Sequence, residues 1–176
     1  MLRPALVENG AIGLACVLLG LMAGFFCTYT FNVNPALLKV DGPTYAIVQS
    51  LLNQNVRHAA FFVCFFGAGV APIAAAVVNF KHWKEASVWL VAVAGIAYIA
   101  GVVVFTREVN LPLNAYTESW TPSNVPTDWD ATRNKWNEAS AIRVYVSPFS
   151  LVCCLVALVL RASGRREVNP SIEATS

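Results

Sequence analysis

The side chains best suited to binding or catalysis lie in the segment 105–120, FTREVNLPLNAYTESW, directly after a long apolar stretch. Glu108 is followed there by two asparagines, Asn110 and Asn114, on either side of Pro112. A carboxylate can take a proton, and amide groups can stabilise a developing oxyanion. The segment is therefore predicted to form one wall of a small-molecule site, although the asparagines could instead satisfy frayed backbone groups.

A second segment, 129–154, repeats polar and aromatic residues in steps of three and four. These are Trp129, Arg133, Trp136, Ser140, Arg143, Ser147, Ser150 and Cys154. This spacing predicts one stripe along a continuous helix. Arg143 is the most suggestive member, because an arginine near an apolar span needs a partner or a polar cavity. It would contact a ligand, snorkel to the membrane surface, or pair with Glu108 or Glu138.

The connector 36–57 carries a third polar set. Gln49, Asn53 and Arg57 recur at intervals of four and predict one polar helix face, which His58 follows. The helix would be either an interfacial helix or an extension of the next span, and a solvated face at the membrane rim would explain its polarity equally well. The tryptophans of these segments would stack on a flat ligand or form an aromatic belt at the interface.

The elements that must position these residues are membrane helices. The chain of 176 residues is 57% hydrophobic and 12% charged, whereas soluble domains average about 25% charged residues. A spanning helix needs about 20 apolar residues, and four stretches qualify, at 11–31, 58–79, 86–106 and 141–161. The predicted fold class is all-α: an integral membrane four-helix bundle with a polar, aromatic cap from the first and third connectors.

The domain organisation follows from these spans. Residues 1–161 are predicted to form one domain, and 162–176 a polar, disordered tail. The Gly20 to Gly24 pair, a GxxxG motif, predicts close packing of the first span against another helix. Pro112 predicts that the third helix ends near 109–111.

Composition excludes several classes of site. The net charge of +2 gives no basis for nucleic-acid binding. The five cysteines lie in apolar runs without CxxC spacing, and the two histidines have no second ligand three or four residues away. No nucleotide loop, nucleophile elbow, HExxH or haem motif occurs. We therefore predict neither a metal nor a cofactor.

Localisation and partners follow from the spans. The predicted partners are the lipid bilayer and a lipophilic aromatic molecule, and a homo-oligomer or a partner membrane subunit is left open. The basic residues divide evenly between the two sides of the bundle. We expect an inner or plasma membrane location with both termini cytoplasmic, because the basic residues of the opposite side are matched by acids.

The order of these motifs resembles the anthrone-oxygenase-like family of small four-span membrane proteins. The residues that carry the resemblance are Asn110-Leu-Pro112-Leu-Asn114, then Trp120, Trp136 and Arg143, with Gly24-Phe-Phe, Asn34-Pro35-Ala-Leu, Gln49 and Asn53 in the first half. The resemblance extends over about 11–160 and implies a four-helix bundle. A few members of that family are associated with oxidation of polyketide anthrones to anthraquinones.

Two functions from different classes stay open. The first is a membrane-embedded oxygenase or oxidoreductase that acts, without need of a cofactor, on a flat lipophilic phenol, anthrone or quinone-like molecule. Arg143 with Asn110 and Asn114 would stabilise the enolate oxygen, and Glu108 or His58 would take the proton. The predicted substrate-binding residues are Asn110, Asn114, Trp120, Trp136, Asn53 and Gln49. The second function is non-catalytic, as a small-molecule binder or as an accessory subunit of a larger membrane complex.

Overall fold

Four long apolar helices run through the computed structural model, which describes residues 4–167 and the side chains of residues 5–163. They are span one (Ala5–Leu37), span two (Ala59–Val78), span three (Ala86–Glu118) and span four (Trp129–Ser163). Each is long and apolar enough to cross a membrane. The protein is an all-helical, four-span membrane bundle, which confirms the predicted fold class.

The spans are built from shorter helical elements. The α-helices are α1 (Pro4–Thr28), α2 (Asn34–Leu37), α3 (Gly42–Asn55), α4 (Ala59–Val78), α5 (Ala86–Tyr98), α6 (Leu111–Glu118) and α7 (Trp129–Glu167). The π-helical turns are Tyr29–Val33, Ile99–Val104 and Thr106–Asn110, and a 3₁₀ turn covers Phe80–His82. Helix α7 continues past the predicted end of its span at residue 161, and the rest of the predicted tail, 168–176, lies outside the described residues.

The spans pack in ring order, so that each lies beside its two neighbours in sequence, and span four closes the ring against span one. Short connections between antiparallel neighbours give this up-and-down arrangement. The apolar core follows the bundle axis, with Leu19, Phe65, Val91 and Cys154 among its buried side chains. The five cysteines are free and behave as small apolar residues, as predicted.

Close helix approach occurs at glycines of span three. A Cβ on Gly95 would lie 2.6 Å from the Ile73 side chain, and one on Gly101 would lie 2.8 Å from Val146. The predicted close packing at Gly20 and Gly24 is wrong, because a Cβ at either position would meet nothing within 4 Å. These two glycines lie on a face of span one that no neighbour approaches.

The predicted end of the third helix near 109–111 is also wrong. Span three stays helical to Glu118, and Pro112 occupies the first turn of α6. The preceding turn is π-helical, and the Leu111 N–H bonds to the Thr106 carbonyl, five residues back. A wider turn before a proline removes the crowding that its ring would cause in a regular α-helix, so the helix passes through it.

The cap is built on helix α3, which Val56 and the next two residues separate from span two. The interpretation of this segment as an extension of span two is therefore wrong, and its location at the membrane interface stays a prediction. Asp41 caps its N-terminus by accepting a hydrogen bond from the Thr44 N–H at 3.0 Å. Hydrogen bonds from the Thr44 side chain and backbone lower the pKa of the Asp41 carboxyl. Trp120 and Tyr45 pack together in the buried core of the cap.

The opposite end of the bundle is closed by charged side chains. Arg161 of span four donates to Glu8 of span one at 2.7 Å and to Glu85 at 3.3 Å. Lys81 also pairs with Glu8 at 2.6 Å. Arg161 and Glu8 are both buried, so this network joins span one, the loop between spans two and three, and span four. The described ends of the chain therefore lie on one side of the bundle, and which side of the membrane that is stays a prediction.

Disruption of the tight contact at Gly95 should destabilise the protein measurably. We expect Gly95→Ala to lower the free energy of unfolding by about 1–3 kcal/mol, because the new methyl group overlaps Ile73 in a packed interface. Gly20→Ala is the matched control, since its methyl group meets no neighbour. Thermal unfolding in mild detergent, followed by tryptophan fluorescence, measures both. An equal melting temperature for the two variants would contradict the packing described here.

Candidate functional site

A cavity of about 680 Å³ opens at the cap end of the bundle. Its walls come from span one, the end of α3, the start of span two, one residue of span three and two residues of span four. Aromatic rings dominate the apolar wall, and they belong to Phe25, Phe26, Tyr29, Phe61 and Trp136. The polar groups are Asn53, Asn55, His58, Asn114 and Arg143. This is the size and composition typical of a site for a small apolar molecule.

Arg143 supplies the positive charge of the cavity. Its guanidinium group lies over the rings of Phe26, at 5.0 Å, and Trp136, at 5.6 Å. Nη2 donates to the Ser140 hydroxyl at 2.8 Å. Within residues 5–163, neither Glu108 nor Glu138 forms the predicted ion pair with it. Aromatic faces and a hydroxyl therefore hold this cation, and its charge is not cancelled by a carboxylate.

Trp136 is fixed by Asn114. The indole Nε1 donates to the Asn114 Oδ1 at 2.6 Å, which links span four to the end of span three. The Trp136 ring also packs against Tyr29 of span one, with centroids 5.2 Å apart. Trp136 is buried, so an unpaired indole N–H here would be costly. The predicted pair of Asn114 and Trp136 thus forms one wall of the cavity.

A chain of hydrogen bonds leads from Tyr29 into the cap. The Tyr29 hydroxyl donates to Gln49 Oε1 at 3.4 Å, and Gln49 Nε2 donates to Asn53 Oδ1 at 3.1 Å. Asn53 reaches the cavity, whereas Gln49 is fully buried behind it. Arg57, on the same predicted polar face, pairs instead with Glu118 at 3.0 Å. The face is therefore divided between the cavity and an ion pair within the cap.

His58 lies at the mouth of the cavity, where it caps span two. Its Nδ1 accepts the Phe61 N–H at 3.3 Å. A neutral imidazole that accepts at Nδ1 carries its proton on Nε2. His58 therefore lines the cavity and caps the helix at the same time.

Four predicted site residues do not line the cavity, and one of them is Gln49, which is buried behind it. Glu108 is exposed, pairs with Arg107 at 3.4 Å, and borders a separate open groove beside Glu138. Asn110 is almost fully buried and does not line the cavity. Trp120 lies in the cap core, against Tyr45 and Tyr116. The predicted residues that the structure does bring together at the cavity are Arg143, His58, Asn53, Asn114 and Trp136.

Tyr29 and Tyr98 are not among the site residues predicted from the sequence. Tyr29 contacts Trp136 and lines the cavity. Tyr98 is fully buried in span three. Both hydroxyls lie within electrostatic reach of Arg143. The available signal for Tyr29 was its place in the polar end of an apolar stretch, since polar side chains at membrane depth point into protein or water.

The comparisons with known proteins identify the family. The family model for anthrone oxygenase matches residues 61–166, more than half of the chain. The chain belongs to the anthrone oxygenase family. No curated protein and no solved structure matches it.

The anthrone oxygenase match covers only part of the cavity wall. It includes Cys64, Asn114, Trp136 and Arg143, which line the cavity from spans two, three and four. Span one and α3 lie outside the matched residues. The aromatic and amide groups that they contribute, Tyr29 among them, therefore belong to the part of the site that the family model does not describe.

The cavity can bind an anion or an enolate but is poorly equipped as a metal site. In the part of the chain that the structure describes, no three His, Cys, Asp or Glu side chains come together as metal ligands. Arg143 and the Asn114 amide stand where a substrate oxygen could receive hydrogen bonds. Exposed Leu21 and Phe25 of span one border the cavity on its lipid side.

Loss of the Asn114 acceptor should weaken the cavity wall. We expect Asn114→Leu to lower the free energy of unfolding by about 1–3 kcal/mol, because the buried Trp136 N–H loses its partner. Asn55→Leu is the matched control, since Asn55 borders the same cavity with an exposed side chain. Nuclear magnetic resonance of ¹⁵N-tryptophan protein should show the Trp136 indole N–H resonance moving upfield only in the first variant. An unmoved resonance would show that the hydrogen bond is not formed.

Proposed function

We propose that the protein is an oxygenase of the membrane that acts on a flat, lipophilic anthrone, phenol or quinone-like molecule bound in the cap-end cavity. The observation that carries the proposal is Arg143, a cation between aromatic rings, facing a cavity with no carboxylate among its described lining residues. Membership of the anthrone oxygenase family supports the same class of reaction.

The aromatic walls favour a planar substrate. Trp136, Tyr29 and Phe61 offer ring faces on separate elements, and aromatic pairs contribute about 0.5–1.5 kcal/mol beyond their buried area. The lipid-side border at Leu21 and Phe25 gives an apolar molecule a direct route from the bilayer. A charged, water-soluble substrate would gain little from either feature.

The chemistry needs an oxyanion stabiliser. Loss of a proton from the ring CH₂ of an anthrone leaves an enolate, whose oxygen accepts hydrogen bonds from Arg143 and from Asn114 Nδ2, while Asn114 Oδ1 keeps its bond to Trp136. The carbanion carbon then forms a bond to dioxygen, giving a peroxide that takes up one proton. Loss of the second C–H proton breaks the O–O bond, so that one oxygen stays as the new carbonyl and the other leaves as water. Carbon is oxidised and dioxygen is the only oxidant.

Glu108 has no place in this proposal, because it lies in the separate groove. His58 takes part at the cavity mouth as a donor to a substrate oxygen, since its Nδ1 holds the cap of span two. Gln49 and Asn53 act together, because the first orients the second towards the cavity. Asn110 and Trp120 support the walls without touching the substrate.

Removal of the cation tests the reaction. We expect Arg143→Ala to lower turnover of an anthrone, with oxygen uptake as the measurement in lipid nanodiscs, by at least about a hundredfold, the usual effect of losing an oxyanion stabiliser. Arg107→Ala is the matched control, because this arginine is exposed and pairs only locally with Glu108. Wild-type turnover in the Arg143 variant would refute the assigned role. Binding of anthraquinone by the wild type without any oxygen uptake would favour the non-catalytic binder instead.

Filling the cavity tests where the substrate binds. We expect Cys64→Trp to weaken binding of anthraquinone at least about tenfold, a loss of about 1.4 kcal/mol, because the indole occupies the inner cavity. Val63→Trp is the matched control, since the neighbouring side chain is 67% exposed on the lipid side. Equilibrium binding in nanodiscs, followed by ligand absorbance, measures both. Unchanged affinity in the Cys64 variant would place the binding site elsewhere.

A further inference from the structure

Spans three and four both carry buried polar side chains in the bundle interior. On span three these are Tyr98, Thr106 and Asn110, and on span four they are Ser140, Arg143, Ser147 and Ser150. We call them the polar rows. The residues of the first row are spaced by multiples of four, and the π-helical turns between them widen the helix enough to keep such residues on one face.

Most of these side chains lack hydrogen-bond partners. The atoms concerned are Tyr98 Oη, Thr106 Oγ1, Asn110 Oδ1 and Nδ2, Arg143 Nε, Ser147 Oγ and Ser150 Oγ. They make up seven of the thirteen buried side-chain polar atoms without a partner among the described residues. Each such atom costs about 1–3 kcal/mol, and the lipid around the bundle offers no hydrogen bonds. So many unpaired atoms on two adjacent spans indicate a bound polar ligand.

The hydroxyls of Ser147 and Ser150 do not bond to the backbone of their own helix. A serine in a membrane helix can donate to the carbonyl four residues earlier. Neither Ser147 nor Ser150 makes that bond, although both are fully buried. Ser140 differs, because its hydroxyl accepts from Arg143. The unpaired hydroxyls therefore begin just below Arg143 and continue into the centre of the bundle.

The two rows run at matching heights. Gly101 lies against Val146, and Asn114 contacts Trp136, which sets the antiparallel register of the two spans. Counting from these contacts places Asn110 near the level of Ser140 and Tyr98 near the level of Ser150. Polar groups therefore follow one another from the cap to the middle of the bundle. Arg143 is the member of the rows that also lines the cavity.

We propose that the polar rows enclose a chain of water molecules, running from Asn110 and Ser140 to Ser150 and Tyr98, that exchanges protons with the cavity past Arg143. Water suits the site because it both donates and accepts, as the amide, hydroxyl and guanidinium groups together require. All hydrogen-bond partners of this water are side chains of the protein itself.

The water chain rests on the proposed function for its role. That reaction removes two protons from a ring carbon and places both on the oxygen that leaves as water. The described cavity walls hold no carboxylate, and His58 Nδ1 is occupied by a backbone N–H. Water beside Arg143 Nε is therefore the group that takes the first proton from the substrate, returns it to the peroxide, and then carries the second proton to the departing oxygen.

The water itself can be detected without any substrate. The experiment is solid-state nuclear magnetic resonance of the whole protein, ¹³C-labelled at serine, alanine and tyrosine, in deuterated lipid bilayers. Magnetisation is transferred from water to carbon. We expect the Ser147, Ser150 and Tyr98 signals to build up at least about threefold faster than the methyl signals of Ala68 and Ala157, which are equally buried in the dry core. Equal build-up rates would overturn the proposal.

A double variant tests the continuity of the chain. We expect Ser147→Ala with Ser150→Ala to slow the transfer to Tyr98 at least about threefold, because two ligands of the water are lost. Ser87→Ala is the matched control, since it removes another buried serine hydroxyl, which bonds to Glu85 at the far end of the bundle. An unchanged Tyr98 signal in the double variant, in protein that keeps its helix content and elution volume, would overturn a continuous chain.

Kinetic measurements distinguish a failure of the water chain from a failure of the proposed function. We expect the same double variant to turn over an anthrone at least about tenfold more slowly and to show an altered solvent deuterium isotope effect, as loss of a proton carrier requires. Full turnover with an unchanged isotope effect would overturn the proton-carrying role. A wild-type protein with hydrated polar rows and no turnover would instead overturn the proposed function and leave the water site established.

Discussion

The constraint on which the structure depends is a positive charge that must be accommodated within an apolar bundle. An arginine at the centre of a membrane helix costs about 2.5–3.5 kcal/mol. Arg143 meets this cost with two cation–π contacts, each worth about 0.5–2 kcal/mol, and one hydrogen bond to Ser140. The two contributions are of similar size to the cost, so the cation is tolerated without a carboxylate. Phe26 and Trp136 must lie where they do for this to hold, and Asn114 in turn holds Trp136.

The two ends of the bundle treat charge in opposite ways. At the loop end, Arg161 is surrounded by Glu8 and Glu85, and the charges are paired where they are buried. Removal of either partner from such a pair leaves a buried charge, so the network fixes the packing there. At the cap end Arg143 has no acid, and the hydroxyls below it are unpaired. Natural proteins tend to leave polar groups unsatisfied at functional sites, and among the described residues most such atoms lie from the cap to the middle of the bundle.

The sequence carried enough information for the spans and for the stripe of span four. Trp136, Ser140, Ser147 and Ser150 follow the regular α-helical period, and all are buried on one face as that period predicts. Composition alone was sufficient to find four apolar helices. The connector helix α3 was likewise visible from the spacing of its polar residues.

The sequence could not show in which direction each residue of span three points around the helix axis. Its π-helical turns rotate the later residues away from the positions that a regular period assigns, and a proline rule predicted a break that does not occur. Glu108 consequently pairs with exposed Arg107, Asn110 is buried, and Asn114 lines the cavity. Three residues of one short segment thus lie in three different environments. The position of Trp120 could not be predicted for another reason. The cap core that buries Trp120 is formed by segments that are distant in the sequence.

The placement of Glu108 bears on how such a site could work at all. A carboxylate inside the cavity would pair with Arg143, since opposite charges in an apolar space attract strongly. The paired cation would then have little left to offer a substrate oxygen. Under the proposed function, the proton acceptor is therefore a neutral group that does not pair with Arg143. The unpaired hydroxyls of Ser147 and Ser150 lie deeper in the bundle than Arg143, and they add no charge that would compete with the substrate.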